Sequence, residues 1–240
     1  MPRLANQNAA ATHKTLKKRT NMISYKDIKN DETICTYVKM ADESLSALGY
    51  TEHSFAHVTH VAEMAGNILS ELGFDERIVE LAKIAGYLHD IGNLVNRVDH
   101  SQSGAIIAFR ILDKMGMPAD EISTIVAAIG NHDEGTGVPV NPVAAALIIA
   151  DKSDVRRSRV RDKELNVHDI HDRVNYSVTG AKLLLNKGIS EVTLKLTIDT
   201  NYSSVTDYFE IFLTRMLMCK KAADKLGLQF RLNINGHNLM

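Results

Sequence analysis

The chain has 240 residues, 45% of them hydrophobic and 24% charged, and its 28 basic and 29 acidic side chains leave a net charge of −1. That length fits one large domain or a domain with an appendage, and the near-neutral balance supplies no global field to draw nucleic acid or an anionic membrane, so any anion must be held locally. The longest apolar run, Val143 to Ala150, falls far short of the ~20 residues of a membrane span, which excludes a membrane-crossing helix in that run.

In chain order, Met1 to Asn21 is polar and basic, with no acidic residue and no sustained apolar period, and reads as a disordered tail over residues 1–21. It lacks the apolar centre of a signal peptide, so a cytoplasmic location is expected. Helical periodicity then predicts elements over Asp31–Leu48, His53–Leu72, Asp75–Asp90, His100–Met115, Pro118–Gly130 and Asn141–Arg159, separated by Gly49, Gly73, Gly116 and the Gly135–Pro142 loop. From Val192 to Ile198 the pattern changes to strand-like alternation. A helix over Val205–Leu226 and a strand-like Leu228–Ile234 follow. The expected architecture is mainly α: a helical bundle over 22–188 with a small β-α-β appendage over 189–240, which either covers the bundle or provides a homodimer surface.

Two cysteines, Cys35 and Cys219, are too few for a disulfide framework or a thiolate zinc site, whereas ten histidines beside no tryptophan nominate nitrogen-and-oxygen metal ligation. Helical projection sorts them. On His53–Leu72 the apolar face runs through Phe55, Val58, Val61, Ala65 and Ile68; His57 lies about 70° from its centre, and His53 and His60 about 110° and 130° away. His89 lies within the apolar arc of its helix, with Asp90 at the border. His100 continues an inward stripe through Gly104, Ile107 and Ile111, and His132 extends Ile125 and Ile129. Asp151 closes the apolar run from Val143, where an unpaired carboxylate would cost several kcal/mol and therefore needs a cation or donors. His-Asp dipeptides occur four times where composition alone gives about 0.7. The two in Asp162–Arg173, at His168 and His171, have no neighbouring apolar face and read as surface residues.

The order His57, His89-Asp90, Asp151 resembles the H…HD…D pattern of the HD-domain metal-dependent phosphohydrolase superfamily over roughly Met22 to Gly188, in the contexts Glu52-His53-Ser54-Phe55-Ala56-His57, Leu88-His89-Asp90-Ile91-Gly92-Asn93 and Ile149-Ala150-Asp151-Lys152-Ser153-Asp154. His100 and His132 resemble the two extra histidines of subfamilies that bind two metals. This resemblance implies a helical bundle in which His57, His89, Asp90 and Asp151 hold one ion and Asp90 bridges to a second held by His100 and His132. It also implies hydrolysis of a phosphoester or phosphoanhydride of a small, nucleotide-like molecule by metal-activated water. Imidazole with carboxylate suits Fe, Mn, Co, Ni or Zn, with Fe or Mn favoured. The cyclic-di-GMP branch is disfavoured, because Gly137-Val138-Pro139 stands where that branch has Gly-Tyr-Pro.

After Asp151 comes a basic cluster. If its helix continues, Lys152, Arg159 and Arg156 project about 100°, 80° and 140° from Asp151 on one side, as candidates to grip phosphate oxygens, with Lys152 and Asp90 also candidate catalytic groups. The same ligand set also resembles di-iron oxygenases, and a non-catalytic nucleotide-sensing module is the third alternative.

Overall fold

Short polar side chains that satisfy the orphan N–H groups of a first turn set most of the helix starts. In the computed structural model, which describes residues 22–161 and 169–240, Ser24 and Asp27 form a capping box for α1 (Tyr25–Asn30), and Asp31 accepts from the Ile34 amide to open α2 (Glu32–Ala47). Ser54 caps α3 (Phe55–Glu71) and Asp75 caps α4 (Glu76–Leu88). A 3-10 turn, Ile91–Leu94, leads to α5 (His100–Met115), which ends at Gly116 with φ 84°, a left-handed conformation that glycine adopts at little cost. Next come α6 (Ala119–Gly130) and α7 (Pro142–Lys152), the latter capped by Asn141 with Pro142 in its first turn. A 3-10 turn at Arg157–Arg159 precedes α8 (Ile170–Ser177).

The bundle is centred on α7, whose residues are buried from Val143 through Lys152. It packs against α3, α4 and α6 on the bundle side and against a C-terminal helix on the other. That all-round burial explains why its sequence has no polar face. The C-terminal unit consists of β1 (Val178–Asn186), β2 (Glu191–Ile198), α9 (Val205–Lys225), β3 (Gln229–Ile234) and β4 (His237–Asn238) in a sheet of order β1-β2-β3-β4. β1 and β2 form an antiparallel hairpin, β2 and β3 run parallel through the α9 crossover, and β4 returns antiparallel to β3. Alternate residues Val192, Leu194 and Leu196 of β2 and Phe230, Leu232 and Ile234 of β3 are buried, as a one-sided sheet requires. No helix among the described residues is long and apolar enough to cross a membrane.

The mainly helical bundle with a small sheet agrees with the sequence reading, and four details correct it. α1 and α8 are helices that the periodicity did not mark. The sheet begins at Val178, so β1 belongs with the strands and not with the helical segment that was carried to 188. His53 precedes α3, since Ser54 is the cap, so the helical projection applied to it does not hold. The helix expected to run to Arg159 stops at Lys152, with Ser153 as its C-cap, so the projection that put Arg156 and Arg159 on one helical side with Lys152 fails. The basic tail and His168 lie outside the described residues.

Candidate metal centre and its pocket

Five elements deliver six buried side chains to one point. His57 sits in the first turn of α3, His89 caps the C-terminus of α4 and Asp90 follows it, His100 opens α5, His132 follows α6, and Asp151 ends α7. A close backbone crossing fixes part of this geometry. A Cβ on Gly92 would lie 1.9 Å from the His100 carbonyl oxygen and 2.5 Å from the Gly104 nitrogen, so only glycine lets the turn after Asp90 lie against the start of α5.

Each of the four imidazoles spends its Nδ1 proton on a fixed acceptor. His57 donates to Asp154 Oδ2 at 2.7 Å, His89 to the Gly86 carbonyl at 2.8 Å, His100 to the Arg97 carbonyl at 3.1 Å and His132 to the Ile129 carbonyl at 2.6 Å. All four Nε2 atoms are thereby turned inward, the arrangement that outer partners impose on metal-binding histidines. The Nε2 atoms of His57 and His89 are buried without a hydrogen-bond partner. Those of His100 and His132 face each other at 3.1 Å, two lone pairs that repel unless a proton or a cation stands between them.

Asp90 turns its two oxygens in different directions. Oδ2 lies 3.2 Å from His89 Nε2 and 3.6 Å from His57 Nε2, whereas Oδ1 lies 3.5 Å from His100 Nε2. Asn93 holds the carboxylate in place through Nδ2, which donates to Oδ1 at 2.9 Å and to the Asp90 carbonyl. Asp151 Oδ1 lies 3.5 Å from His57 Nε2 and 3.6 Å from His89 Nε2. Donors bound to one ion at ~2.0–2.2 Å stand about 2.8–3.6 Å apart, so these separations fit a shared cation, and two groups, His57-His89-Asp151 and His89-Asp90-His132, could each hold one.

The electrostatics of the protein favour positive charge at this point. Burial pushes the carboxyl of Asp90 up, but His89 and His57 outweigh it and hold the group well below the carboxylate range; Lys152 and the same imidazoles do this for Asp151. Burial pushes His89 down, yet Asp90 and Asp151 carry it up to about 10. Burial with the neighbouring His89 and Lys152 holds His132 well below its ordinary value. Two buried carboxylates thus demand positive charge at the Nε2 positions, which protons provide when a cation does not.

The basic residues named from sequence are placed unequally. Lys152 is buried at the centre, with Nζ 2.8 Å from Asp151 Oδ2 and 3.0 Å from Glu134 Oε2. Arg159 is buried and donates to the carbonyls of Glu52 and Asp154. Arg156 Nε donates to Asp154 Oδ1 at 2.7 Å. Arg156 and Arg159 therefore brace Asp154, the residue that fixes the His57 tautomer. His60 points to the half-exposed surface beyond Asp154, and His171 is exposed in the first turn of α8.

A cavity of about 420 Å³ opens beside the cluster, lined by Tyr50, His53, Arg97, Arg159, Phe212 and Arg215 among others. His53 packs edge-on against the His57 ring, and Arg97 Nη1 lies 3.3 Å from His100 Nε2, which ties the cavity to both ends of the centre. A larger cavity of about 650 Å³ lies against β1 and is lined by Asp154, and none of the six clustered side chains lines either cavity. The smaller cavity touches the cluster at two places, through His53 on His57 and Arg97 on His100. Sequence reasoning missed His53, Arg97, Glu134, Asp154 and Arg215. Arg215 alone had a readable signal: on α9 the inward stripe Tyr208, Phe212, Arg215, Cys219, Ala222 is apolar except at that position.

Residues 54–176 match the HD domain family. A stretch of 118 residues, 48% of this chain and 21% of the relative, is 33% identical to Ribonuclease Y of Fervidobacterium nodosum. Ribonuclease Y of Mycoplasma mycoides is 28% identical over 166 residues, 67% of this chain and 37% of the relative. An uncharacterized protein of Methanocaldococcus jannaschii is 27% identical over 161 residues, 57% of this chain and 61% of the relative. The chain thus spans less than two thirds of each of these relatives. The family match runs from the cap of α3 to within two residues of β1, takes in all six clustered side chains, and covers just over half of the sequence: the chain belongs to the HD domain family.

Proposed function

We propose that the protein is a metal-dependent phosphohydrolase acting on a phosphoester or phosphoanhydride of a small, nucleotide-like molecule. In this reading His57, His89, Asp90 and Asp151 hold one divalent transition-metal ion, and Asp90, His100 and His132 hold a second, with Fe or Mn favoured. The observation that carries it is the convergence of the four Nε2 atoms, two of them buried and unpartnered, on two carboxylates. Ions in such a site supply Lewis acidity toward water and toward phosphoryl oxygens as charge develops.

The chain's own residues divide the remaining work. Asp154, Gly86, Arg97 and Ile129 keep each imidazole in the tautomer that presents Nε2. Lys152 neutralises Asp151 and stands charged beside the centre, since Asp151 and Glu134 outweigh its burial and hold its pKa up. Arg97, at the junction of the cavity and His100, is placed to take a phosphoryl oxygen. The cavity volume suits one nucleotide-sized ligand. A second reading, cleavage of an RNA phosphodiester, is favoured by the relatives named Ribonuclease Y.

The test is to strip the protein with a chelator, reload it with Mn or Fe, and assay nucleoside mono- and polyphosphates, dinucleotides and a short oligoribonucleotide. The expected result is one to two ions per chain, turnover of a small phosphorylated substrate, and loss of both metal and turnover in the His89→Ala/Asp90→Ala double variant. Full metal occupancy in that variant overturns the ligand assignment. Turnover of the oligoribonucleotide alone selects the second reading.

A further inference from the structure

The C-terminal unit lies wholly outside the segment that matches the HD domain family, yet two of its side chains, Phe212 and Arg215, line the cavity beside the candidate metal centre. α9 packs against α7 with the stripe Tyr208, Phe212, Cys219 and Ala222 buried, and Arg215 occupies the inward position between Phe212 and Cys219. An arginine in an apolar seam costs free energy unless its charge has a purpose there. Its guanidinium lies over the Phe212 ring, 4.7 Å from the centroid, and Nε is 2.5 Å from Glu134 Oε1. The other oxygen of Glu134 meets Lys152, which meets Asp151, so an unbroken chain of charged contacts links α9 to the candidate metal centre.

Only Nε of Arg215 is spent in this way. Among the described residues no side chain takes up its two Nη groups, and Arg215 lines the cavity together with Arg97, Arg159 and His53. A guanidinium held through Nε and stacked on a ring, on a residue that lines the cavity, is pre-organised to hold a phosphoryl oxygen. We propose that Arg215 is a substrate-binding residue for a phosphorylated ligand, and that the C-terminal ββαββ unit is thereby a wall of the active site that the HD segment lacks. The proposal rests on the phosphohydrolase reading for the identity of the ligand.

The experiment uses the full chain loaded with Mn and measures its affinity for inorganic phosphate alongside KM and kcat for whichever phosphoester it hydrolyses. Arg215→Ala should weaken phosphate binding and raise KM by about 10- to 100-fold, the usual loss for one charged hydrogen-bonding group, with metal content near wild type and a melting temperature lowered by the lost contact with Glu134. Arg215→Lys should recover part of that loss, and it carries the test if the alanine variant does not fold. Glu134→Gln separates binding from positioning. If Arg215 acts only by holding Glu134, Arg215→Ala adds no loss of phosphate affinity in the Glu134→Gln background, and the proposal is overturned; a further loss there supports it. Wild-type turnover with unchanged phosphate affinity in Arg215→Ala overturns the proposal while leaving the proposed function intact. Phosphate binding that depends on Arg215 in a protein without turnover supports the site and overturns the hydrolase reading, and a wild-type protein that neither binds phosphate nor turns over overturns both.

Discussion

Asp154→Asn is the most discriminating perturbation of the centre, because it changes one charge beyond the cluster and almost no volume. Asp154 is 3% exposed and receives the Nδ1 proton of His57 at 2.7 Å and the Nε proton of Arg156 at 2.7 Å. Asparagine keeps one oxygen to accept from His57 but loses the negative charge that makes Nε2 more basic. Loss of such an outer partner typically weakens metal binding 10- to 100-fold, about 1.4–2.7 kcal/mol. The contact of Arg159 with the Asp154 carbonyl, at 2.9 Å, survives the change, so the loop after α7 keeps its main anchor. Competition against a chelator of known affinity, with Mn as the ion, reads the loss directly, and melting curves with and without chelator separate it from a general loss of stability. The difference in melting temperature between loaded and stripped protein should shrink in the variant. Affinity equal to wild type, or a melting temperature lowered equally in both conditions, would refute the assignment of Asp154 as the group that tunes His57.

Gly92→Ala should disrupt the same centre from the backbone side. The new Cβ would meet the His100 carbonyl at 1.9 Å and the Gly104 nitrogen at 2.5 Å, neither of which can rotate away, so the turn and α5 must part. Overpacking of this kind costs about 1–3 kcal/mol or more, so the melting temperature should fall by at least about 2 °C and metal content should drop with it; a variant with normal metal content would show that the crossing is not needed. Metal binding should also depend on pH with a definite sign. His89 is raised from 6.5 to about 10 in the stripped protein, so an ion must displace its proton throughout the neutral range, and affinity should rise with pH with protons released to the buffer, as calorimetry in buffers of different ionisation enthalpy would detect. Linkage gives the stripped protein the opposite trend. A raised pKa contributes stability that is fully present below 6.5 and is lost as pH rises toward 10, so the increment in melting temperature from metal should grow across that interval.

Where the chain is regularly helical, its sequence is enough to show which histidines and carboxylates turn inward. His57, His100 and Asp151 lie on α3, α5 and α7, and His89 and His132 lie one and two residues past the ends of α4 and α6, so projection at 100° per residue turned them toward the core correctly. The same projection failed for His53, which stands before the Ser54 cap, and for Arg156 and Arg159, which stand beyond the Ser153 cap. In both places a cap ends the 3.6-residue period, and the side-chain direction is set instead by contacts distant in sequence, such as Arg159 with Glu52. Asp154 was hidden for the same reason. Three residues after Asp151, it would share that residue's helical face if the helix continued, but it reaches His57 only because the helix has ended.

Arg215 shows a different limit. Its stripe was legible, since one charged residue in a run of inward apolar positions is a departure that periodicity alone can register, but the partner that gives it meaning was not. Glu134 lies 81 positions earlier, on the loop after α6, and nothing local to either residue marks the pair. The appendage was expected either to cover bundle surface or to form an oligomer contact, and both expectations treat α9 as packing. Its burial against α7 does supply packing, through Phe212, Met216 and Cys219. The charged chain Asp151–Lys152–Glu134–Arg215 adds a constraint that packing does not require. Moving α9 would take Arg215 from Glu134 and break the network that ends on the buried Lys152, so the position of the C-terminal unit and the charges beside the candidate metal centre are physically coupled.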